Sequence, residues 1–116
     1  MNGGNYMDFK EYQKLASRTY KKENNCEEQL LEGVMGVAGE AGEVVEELKK
    51  ALFQGHTLKP TKIIKEIGDV LWYCALVCDS VGVDLEYAAK ININKLKERY
   101  PTPEGFRTID SLNRGD

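Results

Sequence analysis

A chain of 116 residues, 41% apolar and 30% charged, has the makeup of one globular domain, so residues 1–116 are read as a single unit. Its formal charge of −3 and the lack of a clustered basic stripe argue against nucleic acid as a partner. The longest uncharged run in its third segment, Val70 to Cys78, is too short to span a bilayer, and the N-terminal MNGGNYMDFKEYQK lacks the apolar centre of a secretory signal; no membrane partner and a cytoplasmic location are expected.

In chain order, Asp8 can cap a first helix over roughly 8–21, where Phe9, Tyr12, Leu15 and Ala16 recur at helical spacing. KKENN reads as a polar connection. A longer pattern over 27–53 runs through Leu30, Leu31, Val34, Val37, Ala41, Val44, Leu48 and Leu52, and the Gly and Pro of QGHTLKP end it. A third helix over 60–81 opens at Pro60, carries Ile63, Ile67, Val70, Cys74 and Val77, and closes at Gly82. Asp84 introduces a fourth over 84–100, stopped by Pro101 and Pro103, and 101–116 is an irregular tail. No stretch alternates long enough for a strand. The expected fold is all-α, an antiparallel bundle of about four helices. Three cysteines, Cys26, Cys74 and Cys78, and one histidine, His56, make neither a disulfide framework nor a zinc site; Cys74 and Cys78 read as small buried residues.

The chemistry lies in two matched acid pairs. Glu40 and Glu43 share the second helix at a spacing of three, about 60° apart, and Glu66 and Asp69 repeat the spacing on the third. Val37 and Val44 flank the first pair and Ile63 and Val70 the second, so both pairs border apolar seams. In a hairpin of these helices the pairs come to similar levels. Four converging carboxylates repel and lose hydration, and so call for cations. An all-oxygen ligand set suits Mg²⁺ or Mn²⁺. The stretch GVMGVAGEAGEVVEELKK, Gly33 to Lys50, adds glycines at every third position. Gly36, Gly39 and Gly42 are expected to leave room around the acids for a neighbouring helix, metal ions or phosphate oxygens, with Gly68 doing the same on the third helix. By that expectation, alanine at Gly39 or Gly42 lowers activity at least tenfold, a loss of ~1.4 kcal/mol in the transition state.

These residues resemble the MazG-like all-α nucleoside triphosphate pyrophosphohydrolases. GVAGEAGEVVEELKK is similar to the family's first metal-binding segment and EIGDVLWYCA to its second; Glu40, Glu43, Glu66 and Asp69 match the Glu-x-x-Glu, spacer, Glu-x-x-Asp pattern one by one. NINKLKERYP resembles the family's fourth-helix segment, with Asn92, Lys95, Arg99 and Tyr100 in the corresponding places, and GFRTIDSLNR resembles the end of compact single-domain members. The resemblance implies a homodimer or tetramer and Mg²⁺-dependent cleavage of a nucleoside triphosphate to monophosphate and pyrophosphate. It implies Glu40, Glu43, Glu66 and Asp69 as metal ligands and catalytic groups. Lys95, Arg99 and Lys50 then suit phosphate oxygens, Asn92 a phosphate or sugar, and Trp72 and Tyr73 the base, although the two aromatics also suit a core and the basic residues a solvated helix end. The role read is nucleotide-pool control or housecleaning. The alternatives are a dedicated dCTP, dUTP or phosphoribosyl-ATP pyrophosphohydrolase and, in another class, a non-catalytic helical interaction module.

Overall fold

The structure, a computed structural model, describes residues 6–102, and their regular structure is helical throughout: α1 (Phe9–Ser17), α2 (Cys26–Phe53), α3 (Pro60–Ser80) and α4 (Leu85–Arg99). No helix among them is long and apolar enough to cross a membrane. The GFRTIDSLNR segment and most of the expected tail lie outside the described residues.

The helix boundaries follow local chemistry. The Asp8 carboxylate accepts the Glu11 N–H at 2.8 Å and starts α1 as expected. The helix stops at Ser17, several residues short of the expected 21. There the Ser17 hydroxyl donates to the Lys14 carbonyl and the Thr19 hydroxyl to the Ala16 carbonyl, each at 2.7–2.8 Å, so side chains take up carbonyls that another turn would have used. Asn25 forms a reciprocal capping box with Glu28 and opens α2 inside what reads as a plain connector. Gly55 and Gly82 sit at φ +72° and +77°, a conformation costly for residues with a Cβ, and turn the chain after α2 and α3.

The chain divides into two compact units, Met1–Leu85 and Glu86–Asp116. In the first, α2 lies along α3 with pairings in inverse order: Glu47 beside Lys62, Gly36 beside Tyr73, Gly33 beside Val77. α1 packs on α3 as well. The core is small: Ala75 and Leu76 are fully buried and Cys78 and Leu85 nearly so, with Tyr12, Leu71, Cys74 and Val83 packed against the cluster of Ala75, Cys78 and Leu85. Burial raises the thiol pKa of both Cys74 and Cys78, which fits their reading as packing residues rather than ligands. Gln13, only 6% exposed, ties the segments together: its amide nitrogen donates to the Asp79 carboxylate at 2.7 Å and the Val83 carbonyl at 3.3 Å, and its oxygen accepts the Leu85 N–H at 2.7 Å. In the second unit, α4 carries Lys97 and Arg99 in its last turn, where they complement the negative helix end.

Candidate metal centre

Three of the four expected acids converge. Carboxylate oxygens of Glu40 on α2 and of Glu66 and Asp69 on α3 all lie within 4.8 Å of one another. Glu40 and Glu66 are half-buried and Asp69 is exposed, so the cluster opens to solvent on one side. Glu43 is exposed and falls outside this triangle, one turn along α2, though its charge still acts on Glu40. The electrostatics are those of an unbalanced anionic cluster. A hydrogen bond with Glu66 raises the Glu40 carboxyl pKa first; desolvation and the charges of Asp69, Glu66 and Glu43 add to it. A carboxylate pair sharing a proton is one answer to crowded negative charge, and a divalent cation is the other. The donor set is oxygen only, with one open side for waters or phosphate, which fits a hard cation such as Mg²⁺ or Mn²⁺.

The glycines divide into two groups. A Cβ at Gly33 would lie 2.7 Å from Val77 Cγ2 and 3.3 Å from the Val77 nitrogen, and one at Gly36 would fall within the Tyr73 ring. These two allow α2 and α3 to approach. At Gly39, Gly42 and Gly68 a Cβ would have nothing within 4 Å beyond its chain neighbours and the backbone of its own helical turn. The expectation that Gly39 and Gly42 make room for a neighbouring helix is therefore corrected for the chain itself: the space beside them is open.

Tyr73, four residues after Asp69, fills the notch left by Gly36, and Trp72 meets it edge-on with ring centroids 4.9 Å apart. The Trp72 indole N–H donates to Thr19 Oγ1 at 2.8 Å and the ring stands edge-on to Tyr20 at 5.4 Å. Both aromatics thus have packing partners within the first unit. Lys50 lies beyond the acids at the α2 terminus, 3.8 Å from Glu47. Asn92, Lys95 and Arg99 share one face of α4 in the second unit, the first two exposed and Arg99 half-buried.

Two residues absent from the sequence-based set adjoin the acids. Glu47 and Lys62 form a 2.9 Å ion pair across the hairpin, one turn past Glu43 and one turn before Glu66. The signal was present: each stands four residues from an acid of the motif and so on the same helix face.

A family model described as "MazG nucleotide pyrophosphohydrolase domain" matches residues 28–103, a stretch that holds all four acids and the three α4 residues. The chain is 35% identical over 98 residues to "Gene 37 protein" of Mycobacterium phage L5, covering 76% of this chain and 84% of that protein. No solved structure matches the chain at a significant level.

Proposed function

The chain belongs to the MazG nucleotide pyrophosphohydrolase family, and from that premise we propose that it hydrolyses a nucleoside triphosphate to the monophosphate and pyrophosphate with Mg²⁺ held by Glu40, Glu66 and Asp69, Glu43 completing the set. The observation that carries this reading is the meeting of the Glu40, Glu66 and Asp69 oxygens within 4.8 Å, from two helices and two copies of one spacing. A divalent cation bound there supplies charge neutralisation of the polyphosphate and acidifies water at neutral pH. The carboxylates fix that charge on a rigid hairpin, and any one of them left free of the cation can orient the attacking water and accept its proton. Asn92, Lys95, Arg99 and Lys50 are the proposed phosphate and sugar contacts, and Tyr73 and Trp72 the proposed base neighbours. The fitting role is nucleotide-pool control in the cytoplasm.

The proposed working form is a homodimer or tetramer of single-domain, antiparallel bundles. What supports it is the apolar surface left on α2 and α3: Met35 is 65% exposed, Val45 64% and Ile64 69%, with Leu31, Val34, Leu52 and Ile67 exposed beside them.

A panel of canonical, modified and deoxynucleoside triphosphates with Mg²⁺, followed by product separation, tests the reaction and sorts the general role from a dedicated dCTP, dUTP or phosphoribosyl-ATP enzyme. Activity should vanish with chelator and in Glu66→Gln and Asp69→Asn. Full turnover in chelator, or wild-type rates in either variant, would overturn the assignment.

A further inference from the structure

Past the acid cluster, the loop end of the hairpin holds a second charged site of opposite sign. A polar cavity of about 350 Å³ is lined by Glu47, Lys50, His56, Thr57, Lys59 and Lys62. It gathers three lysines and the chain's only histidine around one carboxylate. The loop is shaped to do this. Gly55 adopts φ +72° and folds the chain back, so that the His56 N–H donates to the Lys50 carbonyl at 3.1 Å. Lys59 and Lys62 come from the start of α3 on the other side.

Glu47 is the counter-ion of this group. Its side chain is 15% exposed while that of Lys62 is 51% exposed, and it lies 2.9 Å from Lys62 and 3.8 Å from Lys50. The Lys62 hydrogen bond, joined by the charges of Lys62, Lys50 and Lys59, holds the Glu47 carboxyl below the usual carboxylate range against a smaller opposing effect of desolvation. One carboxylate among three ammonium groups leaves an excess of positive charge. On α3 that excess begins one helical turn from the acids, at Lys62 before Glu66, and on α2 it begins two turns away, at Lys50 after Glu43. A polyphosphate whose cation sits on the acids meets Lys62, on whose charge Glu66 and Glu43 already act, within one turn, and Lys50 and Lys59 within about two.

We propose that this cavity is the subsite for the terminal phosphates of the substrate and for the pyrophosphate released from it, and that Glu47 is a resident anion which the incoming phosphate displaces from Lys62 and Lys50. The inference rests on the nucleotide reading above and adds a direction to it: the terminal phosphates lie toward the 54–59 loop and the nucleoside toward the Tyr73 end of α3. Glu47 then has a role opposite to that of the lysines around it. It competes with phosphate for them, lowers affinity for pyrophosphate, and so favours product release.

The test is a calorimetric titration of the full chain with inorganic pyrophosphate in Mg²⁺, with inorganic phosphate as the comparison. Lys59→Ala should weaken pyrophosphate binding at least threefold, and Glu47→Gln should tighten it at least threefold. A structural role for the ion pair predicts weaker binding in both. Unchanged or weaker binding in Glu47→Gln, or no binding by the wild type, would overturn the proposal. Lys59 is exposed and lies at the helix cap, so Lys59→Ala keeps the lysine arm readable if Glu47→Gln unfolds, and Glu47→Asp, with a shorter reach to Lys62, then supplies the tightening arm. Triphosphate hydrolysis measured on the same samples separates this inference from its premise. Turnover with unmoved pyrophosphate affinities removes the subsite and keeps the enzyme; opposite shifts without turnover keep the subsite and remove the enzyme.

Discussion

Gly36→Ala and Gly39→Ala make the same chemical change on one helix and should differ in sign. Each gains roughly 0.8–1.0 kcal/mol of helix propensity. At Gly39 the new methyl has nothing within 4 Å beyond its chain neighbours and the backbone of its own helical turn, so the gain is kept. At Gly36 the methyl would enter one edge of the Tyr73 ring, at Cγ, Cδ1 and Cε1, and a packed ring cannot swing clear as a flexible chain end does. Retreat is opposed by Trp72, edge-on at 4.9 Å and itself tied to Thr19. Forcing atoms into a packed contact costs about 1–3 kcal/mol. Gly36→Ala should therefore lose about 1 kcal/mol net, and the two variants should stand about 2 kcal/mol apart. Urea unfolding followed by circular dichroism at one protein concentration reads this as midpoints separated by about 1 M, given slopes of ~1–3 kcal/mol per M. Adding Tyr73→Ala to Gly36→Ala should cost less than Tyr73→Ala alone, because the clash has gone. Equal stabilisation in Gly36→Ala and Gly39→Ala would refute the reasoning, since the ring would then have free room. A tenfold loss of kcat/KM in Gly39→Ala with its stability raised would locate substrate or metal, rather than protein, in that open space.

Glu40→Gln should make the metal-free chain more resistant to urea at pH 7 and abolish the calorimetric heat of Mg²⁺ binding. Its raised carboxyl pKa means that the stabilising contribution is present below about pH 4.5 and is lost as pH rises through the folded value, so the variant should also lose that pH dependence; an unchanged profile would count against the cluster. Tyr20 gives an alkaline counterpart. Its hydroxyl is buried without a well-formed hydrogen bond, and burial first, then nearby Asp79, raises its pKa well above 10. Its contribution is full below about pH 10 and lost as pH climbs toward the folded value, so Tyr20→Phe should flatten the fall in urea midpoint between pH 9 and 11, and an identical fall would remove the assignment. Light scattering at micromolar concentration should report a dimer or larger, and Val45→Lys or Ile64→Lys should lower the mass; a fully active monomer would contradict a required assembly.

Much of this was legible because helices repeat. The period of three to four residues places α2, α3 and α4 within a residue or so of their ends, and the shared spacing of Glu40–Glu43 and Glu66–Asp69 marks the site before any folding is considered. What the period cannot carry is which side of a stripe meets a partner. Leu31, Val34 and Ile67 fall on the apolar stripes and stand exposed, because a hairpin buries only one side of each helix. The glycines fail for the same reason: Gly36 and Gly39 look alike in a run of four, and only the placement of Tyr73 separates them. α1 ends early through hydroxyls of Ser17 and Thr19 that bond locally, a signal of a few residues easily lost beside an apolar pattern. Glu43 outside the acid triangle depends on side-chain direction, which spacing leaves open by a turn.

Gln13 gives the first 27 residues a weight that the family signature does not convey. The recognisable stretch begins at residue 28, after α1 has ended. A chain cut to that stretch would leave the Leu85 N–H without the Gln13 oxygen, the Asp79 carboxylate and Val83 carbonyl without its amide, and the Trp72 indole without Thr19. Of these bonds the one to the Leu85 N–H is buried, and a group of that kind left shielded and unpaired costs about 1–3 kcal/mol, against a whole-domain stability of roughly 5–15 kcal/mol. The recognisable stretch thus leaves out a nine-residue helix whose most buried side chain is an amide, and with it the bonds that fasten the end of α3 to the start of α4.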